Sequence, residues 1–422
     1  MKKICFKTFG CKVNQYETQG IREDFLMEGY CEVEKEADVY VVNTCTVTAE
    51  ADCNARAVIR ACRKENPNAR IIVTGCYAEK DGQEILALGG VTRVVKQHDK
   101  SRIREILEGA EATPLGKSRY LPLAISDFKD HTRAFVKVQD GCDYRCAFCK
   151  VWVVRGRSVS RPLSEIVEEA ERLTHRGFRE IVLTGVSLGL YGRDFEKPAD
   201  ILDVVKALEP VEGLERIRLS SIDPIDVQGL FIEKLFFTRK CCRQLHLSLQ
   251  SGDDEVLSKM QRNYTSGHYR SVVQKLREKD PDFSITTDVI VGFPGETDEQ
   301  FGNTLRLVSE LNLTRVHIFP YSHRRGTVAY RFQELVSPQS IRSRIKQLEK
   351  ISREASFRYR KPLLGKEATV LAESSEEEGL LSGYTEHYVR VFFRGGKNEM
   401  GKILPVRIQE VTPHRTMGSV IT

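Results

Sequence analysis

The chain has 422 residues, 41% of them hydrophobic and 29% charged, with a formal net charge of +6. That length suits two or three domains rather than one core, and no apolar run approaches the roughly 20 residues needed to span a bilayer, which excludes a membrane-embedded protein. Twelve cysteines behind a start that turns polar at Lys7-Thr8 do not fit a secreted disulfide scaffold; the cytosol is the expected compartment and metal binding the expected use of the thiols.

The first hundred residues alternate strand and helix patterns: 2–8, 38–43 and 70–74 read as strands, 15–28 and 49–64 as helices. A small parallel α/β domain is expected. Cys11, Cys45 and Cys76 each fall just past one of the three strands, and parallel strands end on one edge, so these cysteines are expected to converge. Cys5, Cys31, Cys53 and Cys62 instead fall inside strands or helices and read as small buried hydrophobes, as do Cys241 and Cys242. A Pro- and Gly-containing stretch over 109–129, with Pro114, Gly116 and Pro122, marks a boundary.

From residue 133 the alternation returns with longer spacing. Strands are expected at 134–138, 180–184, 216–220, 244–249, 284–291 and 315–319, six βα units that suit a parallel half-barrel. Directly after the first of them comes Asp140-Gly141-Cys142-Asp143-Tyr144-Arg145-Cys146-Ala147-Phe148-Cys149. Three thiolates on one loop at a strand's carboxyl end can wrap three corners of a 4Fe-4S cube and leave one iron open to chelation by a cofactor. A structural zinc site is the other use of cysteines two apart, although no fourth Cys or His lies close in sequence.

Residues 315–366 hold 13 Lys and Arg against Glu334, Glu349 and Glu354; such a segment either meets phosphates or forms a solvated helix face. A charged helix is expected over 337–361, ended by Pro362. Strand patterns over 367–373, 379–393 and 402–411 then suggest a small antiparallel β-barrel, in which Tyr384, Tyr388, Phe392 and Phe393, with Arg390 and Arg394, either stack and contact RNA or fill the barrel core. The lone histidines, such as His246 and His317, read as packing or solvent-facing groups.

The central cysteine loop, with Phe148 before its third cysteine, resembles the signature of radical S-adenosylmethionine (SAM) enzymes. Such enzymes pass one electron from the cluster to the bound sulfonium and generate a 5′-deoxyadenosyl radical. Leu183-Thr184-Gly185, Leu247 to Gly252 and Asp288 to Glu296 are similar to the family's later strand tips. The resemblance implies cofactor contacts at Thr184, Gly185, Ser220, Gln250 and Asp288, and assigns no catalytic acid or base. Thr8 to Asn14, Asn43-Thr44-Cys45 and Thr74-Gly75-Cys76 resemble the N-terminal domain of methylthiotransferases. That family resemblance covers nearly the whole chain and implies an N-terminal domain over 1–112 whose Cys11, Cys45 and Cys76 hold an auxiliary 4Fe-4S cluster. It implies next a radical SAM domain over 128–358 with a (β/α)6 half-barrel and a cluster on Cys142, Cys146 and Cys149. Last comes a TRAM RNA-binding barrel over 361–422, with RNA contacts at Tyr384, Tyr388 and Arg390.

Lys7 to Gln15 and Gly383 to Val391, and less distinctively Arg218 to Pro224 and Phe319 to Ser322, are most similar to the branch that places a methylthio group on carbon 2 of threonylcarbamoyladenosine, 3′ of the tRNA anticodon. A related branch acts on isopentenyladenosine, and a non-catalytic zinc-stabilised RNA-binding protein is the reading from a different class. The implied reaction uses SAM both as methyl donor and as radical source, with tRNA, a sulfur source and an electron donor as partners. One departure stands out: the family usually follows its third cysteine with Ile-Ile-Pro and an aromatic, whereas here Lys150-Val151-Trp152-Val153-Val154 follows.

Overall fold

The computed structural model describes residues 2–46, 48–110, 123–376 and 379–421; of the expected boundary segment, residues 111–122, with Pro114, Gly116 and Pro122, lie outside the described residues. Strands β1 (Lys3–Thr8), β2 (Cys31–Glu32), β3 (Val39–Thr44), β4 (Arg70–Gly75) and β5 (Arg93–Val94) form a parallel sheet in the order β2-β1-β3-β4-β5. β3 is buried along its whole length, as a sheet covered on both faces requires. Side-chain alternation sends Val39, Val41 and Ile72 into the large core shared with the central domain, and Tyr40, Val42, Ile71 and Val73 into a separate core on the other face. One face of the first domain is thereby welded to the second.

The central domain begins with β6 (Ala134–Lys137). The pair β7 (Gln139–Asp140) and β8 (Val159–Ser160) follows, running antiparallel and closing the cysteine loop between them. Then come β9 (Glu180–Thr184), β10 (Arg216–Leu219), β11 (Ser221–Ile222), β12 (Gln244–Leu247), β13 (Ser284–Val291) and β14 (Arg315–Pro320). They pair in parallel as β6-β9-β10 and as β11-β12-β13-β14. The six expected strands are present, in sequence order, but the third is interrupted at Ser220, so the half-barrel is two hydrogen-bonded runs. Ile217 bridges them, donating to the Lys240 carbonyl and accepting from the Cys242 amide, both at 2.8 Å.

The helix Pro338–Arg360 starts where Ser337 Oγ accepts from the Ser340 amide and Pro338 supplies a preset φ. The basic segment it carries is neither a uniform solvated face nor an open phosphate stripe. Arg344 is buried and donates to Glu296 and Asp298 at 2.9 and 2.8 Å; Arg360 is buried against Thr416 Oγ1 at 3.0 Å.

β15 (Glu367–Ser375), β16 (Leu380–Thr385), β17 (Arg390–Arg394), β18 (Ile403–Val411) and β19 (Thr416–Val420) close into a barrel in the order β15-β16-β17-β19-β18. The single strand expected over 379–393 is two, separated by a turn in which Tyr388 takes φ 59°. β19, which closes the barrel, was not foreseen: Thr-Met-Gly-Ser-Val carries little apolar alternation. Cys53 departs from its expectation too, being exposed, and Cys31 is only half-buried, whereas Cys5, Cys62, Cys241 and Cys242 are buried.

The barrel is docked through one carboxylate. Glu180, fully buried at the start of β9, receives Arg218 Nε at 2.7 Å, and Arg216 and Arg133 lie at 3.5 and 3.7 Å. The same guanidiniums reach across to the barrel: Arg216 donates to the Tyr384 and Thr369 carbonyls at 3.1 and 2.5 Å, Arg218 to the Glu386 and Thr385 carbonyls at 3.0 and 3.1 Å, and Arg133 to Glu373 at 3.1 Å. Burial alone would raise the Glu180 carboxyl, but the three guanidiniums outweigh it and hold the group at about 2 against an ordinary 4.5. As pH falls the unfolded chain takes up this proton first, so the stabilisation is complete above about pH 5, erodes between about 4.5 and 2, and is gone below that. Glu180→Gln is expected to cost roughly 3–5 kcal/mol at neutral pH and to flatten that acid limb, read from urea unfolding at stepped pH.

Candidate cofactor and substrate site

The N-terminal cysteines sit at one sheet edge because each follows a strand of that sheet. Cys11 caps the helix Lys12–Met27, Cys45 follows β3, and Cys76 opens the helix Cys76–Ala87. Cys45 lies directly against Gly10, where an added Cβ would come within 2.6 Å of both its Cβ and Sγ, and Gly10 holds φ 91°; only glycine satisfies both demands. Cys76 is buried and feels the Cys11 sulfur. Two donors tune this edge: the Arg155 guanidinium donates through Nε to Cys76 Sγ at 3.3 Å, and the Gln97 amide through Nε2 at 3.5 Å.

The central loop is pinned at its entrance by Gly141, at φ 70°, where a Cβ would sit 1.9 Å from the Arg157 carbonyl oxygen. Cys142 donates its amide to the Gly156 carbonyl at 3.1 Å, and Ala147 is held between Met260 and Ala329 by backbone bonds of 2.9 and 2.8 Å. Burial pushes the Cys142 thiol up to about 12 and the Cys149 thiol up to about 11, the neighbouring sulfurs of the same loop adding to both. Arg262 Nη1 donates to Cys146 Sγ at 2.9 Å while its Nη2 pairs with Asp223. Each cysteine set therefore offers three soft donors with a guanidinium at one of them, a donor set suited to an anionic iron-sulfur cube. Among the described residues no three His, Cys, Asp or Glu side chains gather closely enough to hold a single ion; a four-iron cube takes its thiolates at separate corners and does not need that.

A cavity of about 180 Å³ lies between the two sets, with Cys76 on one wall and Cys149 on another. Gln250 and Asp288 line it too, joined across β12 and β13 by a 2.8 Å bond from the Gln250 amide to the Asp288 carbonyl. Thr184, Gly185 and Ser220 stand at the tips of the neighbouring strands rather than on this wall. Thr184 is buried; Gly185 packs so tightly on Gln139 that a Cβ would meet its Oε1 at 2.9 Å; Ser220 Oγ is buried with no hydrogen-bond partner among the described residues. An orphaned hydroxyl at the break between the two strand runs suits a polar ligand at that point.

Three contributors had no sequence signal. Gln139 Oε1 accepts from the Val186 and Ser187 amides at 2.9 and 3.0 Å while its Nε2 donates to the Gly141 carbonyl at 2.8 Å, tying the β9 tip to the cysteine loop. Arg262 lies 116 residues from the cysteine it touches. His246 is more than packing: its Nε2 stands 3.3 Å from Asp288 Oδ1 and its ring 5.8 Å from that of His317. Trp152, in the atypical segment, is half-buried beneath the Arg145 guanidinium at 5.3 Å.

At the barrel, Tyr384 and Tyr388 stack on each other at 4.5 Å, with Arg133 and Arg218 over their rings at 5.1 to 5.7 Å. Arg390 is exposed, bonded to Glu376 at 2.7 Å and lying over Phe392 at 4.9 Å.

A parallel half-barrel with a three-cysteine loop after its first strand, flanked by a second three-cysteine edge and a small barrel, defines a radical SAM enzyme of composite build. Three family models agree: the Radical SAM superfamily over residues 136–308, the Uncharacterized protein family UPF0004 over 3–96 and the TRAM domain over 362–421. The chain is 40% identical to a threonylcarbamoyladenosine tRNA methylthiotransferase from Thermotoga maritima, covering 98% of this chain and 95% of that one. It is 38% identical to the enzyme of that name from Bacillus subtilis, covering 97% and 94%. It belongs to the threonylcarbamoyladenosine tRNA methylthiotransferase family. A tRNA-2-methylthio-N(6)-dimethylallyladenosine synthase from Clostridium tetani is 36% identical over 70% of this chain and 66% of its own length. Among solved structures, the radical SAM methyltransferase TsrM from Kitasatospora setae shares the fold, with a TM-score of 0.55 at 16% identity over 76% of this chain and 75% of that one.

Arg155 also donates to Glu17 and Asp140 at 2.9 Å and to Asn14 at 2.7 Å. Arg155→Met is expected to cost roughly 3–5 kcal/mol by leaving buried acids short of a cation. It is also expected to slow alkylation of Cys76 in iron-free protein, because the guanidinium that draws this thiol toward its thiolate is gone; mass spectrometry of the labelled peptide follows the rate.

Proposed function

We propose that this chain attaches a methylthio group to carbon 2 of N6-threonylcarbamoyladenosine in tRNA, at the adenosine immediately 3′ of the anticodon. SAM and 4Fe-4S clusters are its cofactors, and SAM serves as methyl donor and radical source. The observation that carries this reading is the single cavity bordered by Cys76 of one cysteine set and Cys149 of the other: sulfur delivery and C–H activation must meet at one carbon, and here both thiol sets face one space. Cys142, Cys146 and Cys149 would hold the radical-generating cluster, and Cys11, Cys45 and Cys76 the auxiliary one. The three domains are read as 1–112, 128–358 and 361–422.

When bound, these groups supply the one-electron chemistry and the transferred sulfur; the protein's own side chains orient and enclose. Arg262 and Arg155 each place a fixed positive charge against one sulfur of a set, where a bound anionic cluster would be met by it. Gln139 fixes the turn at Gly185, and Ser220, Gln250 and Asp288 present polar groups at successive strand tips for SAM. Phe148, Val151, Val154, Ile290 and Phe319 give the cavity an apolar lining that excludes water. An unpaired loop base is a fitting substrate, since it can leave its stack to enter such a space. Arg390 at the barrel surface, with the tyrosine pair behind it, is placed to meet the tRNA backbone. Among the described residues no helix is long and apolar enough to cross a membrane; a tRNA substrate supports reading the enzyme as cytoplasmic. A sulfur source and an electron donor complete the partners.

Nucleoside mass spectrometry of tRNA from a deletion strain tests the reading. The methylthio derivative of threonylcarbamoyladenosine is expected to vanish and to return with the wild-type gene but not with Cys45→Ala or Cys149→Ala. Purified anaerobically, the wild type is expected to hold about eight irons and each variant about four. Loss of the dimethylallyladenosine derivative instead would move the enzyme to the other branch.

A further inference from the structure

The wall between the two cysteine sets carries two buried cations. Arg324 is 6% exposed, and its Nε and Nη1 meet no acceptor among the described residues. Lys150, equally buried, lies on the same wall, and neither is within ion-pair distance of a carboxylate among the described residues. Asp52 is close enough to be felt by both, yet its Oδ1 is itself without a partner. Asp288, the acid on the cavity wall, is engaged with His246 at 3.3 Å. Burying a guanidinium with half its donors idle costs several kcal/mol unless an anion arrives to meet it. The surrounding wall is apolar, so an anion reaching it would be held in a low dielectric by charge-assisted bonds.

The substrate supplies such an anion. The threonylcarbamoyl arm ends in a free carboxylate, whereas a dimethylallyl arm is uncharged. Carbon 2 and the N6 arm share the Watson–Crick edge of the base, so presenting carbon 2 between Cys76 and Cys149 brings the arm into the same cavity. We propose that Arg324, seconded by Lys150, takes the threonyl carboxylate and so sets the enzyme's choice of modified base. This rests on the functional reading above and names the group that would enforce it. It also gives the departure at Lys150 a role: an aliphatic residue there would leave Arg324 as the lone cation.

The test is binding of anticodon stem-loops to reconstituted full-length protein, comparing the threonylcarbamoyl arm with the same arm amidated at its carboxyl. Wild type is expected to prefer the acid by about ten- to a hundredfold, the range of a charge-assisted bond. Arg324→Gln is expected to bind both equally, Arg324→Lys to recover most of the preference, and Lys150→Met to lose about two- to fivefold of it, all with full iron and unaltered SAM affinity. An Arg324→Gln protein that keeps the preference overturns the proposal. So does one that keeps it while losing SAM affinity, since the cation would then serve the cofactor's carboxylate. Wild type that methylthiolates only the dimethylallyl stem-loop sinks the functional reading itself, and this proposal with it.

Discussion

Glu17 is the group on which the two-domain arrangement turns. Its carboxylate is fully buried in the helix that Cys11 caps, and it receives Lys100 at 2.6 Å, Lys137 at 2.7 Å and Arg155 at 2.9 Å. Lys100 comes from its own domain, Lys137 from the first strand of the half-barrel, and Arg155 from the end of the cysteine loop. Burial by itself would neutralise such an acid, but the three cations hold it well below the ordinary carboxylate range. A buried cluster of this kind contributes little net stability against a well-packed apolar alternative, yet any other pairing leaves charges unmatched at several kcal/mol each. It therefore selects one geometry. Tyr16, the neighbouring residue, does the same at the next step of the seam, donating to the Leu123 carbonyl at 2.6 Å and to Glu169 at 3.0 Å.

That geometry is what lets two distant cysteine sets address one cavity. Arg155 belongs to both sides, touching Glu17 and Asp140 with Nη1 and the Cys76 sulfur with Nε. The electrostatics of the seam and of the N-terminal thiols thus share one guanidinium, and lysine, with a single point charge, could not span the four partners.

The fold was largely legible because its signals are local. The buried strands of the first domain are continuous apolar runs, and Glu180–Thr184 and Ser284–Val291 fall where the pattern placed them. Cys11, Cys45 and Cys76 could be grouped because strand-helix repeats place their ends on one edge. What stayed hidden depends on partners far apart in the chain: Lys137 and Glu17 are 120 residues apart, Arg218 and the Thr385 carbonyl 167, and no periodicity joins them. The break at Ser220 and the closing strand Thr416–Val420 were missed because both are short and their residues carry no alternation. Cys53 went wrong for a simpler reason, since a cysteine on a helix carries no mark of which face it occupies.

The barrel's place follows from the same logic of shared cations. Arg133 and Arg218 neutralise Glu180, bond barrel backbone or acid, and lie over Tyr384 and Tyr388. The tyrosine pair is thus part of the docking seam, and its Tyr388 lies within electrostatic reach of Lys12, next to Cys11. A tRNA gripped by the barrel is consequently gripped at a fixed offset from the thiols. A tethered barrel on a loose linker would raise local concentration but leave the target base to search; a barrel held by three guanidiniums delivers it along a defined line. On the proposed reading, placement of one base between two cysteine sets is then a property of the docked whole, set by the buried acids Glu17 and Glu180.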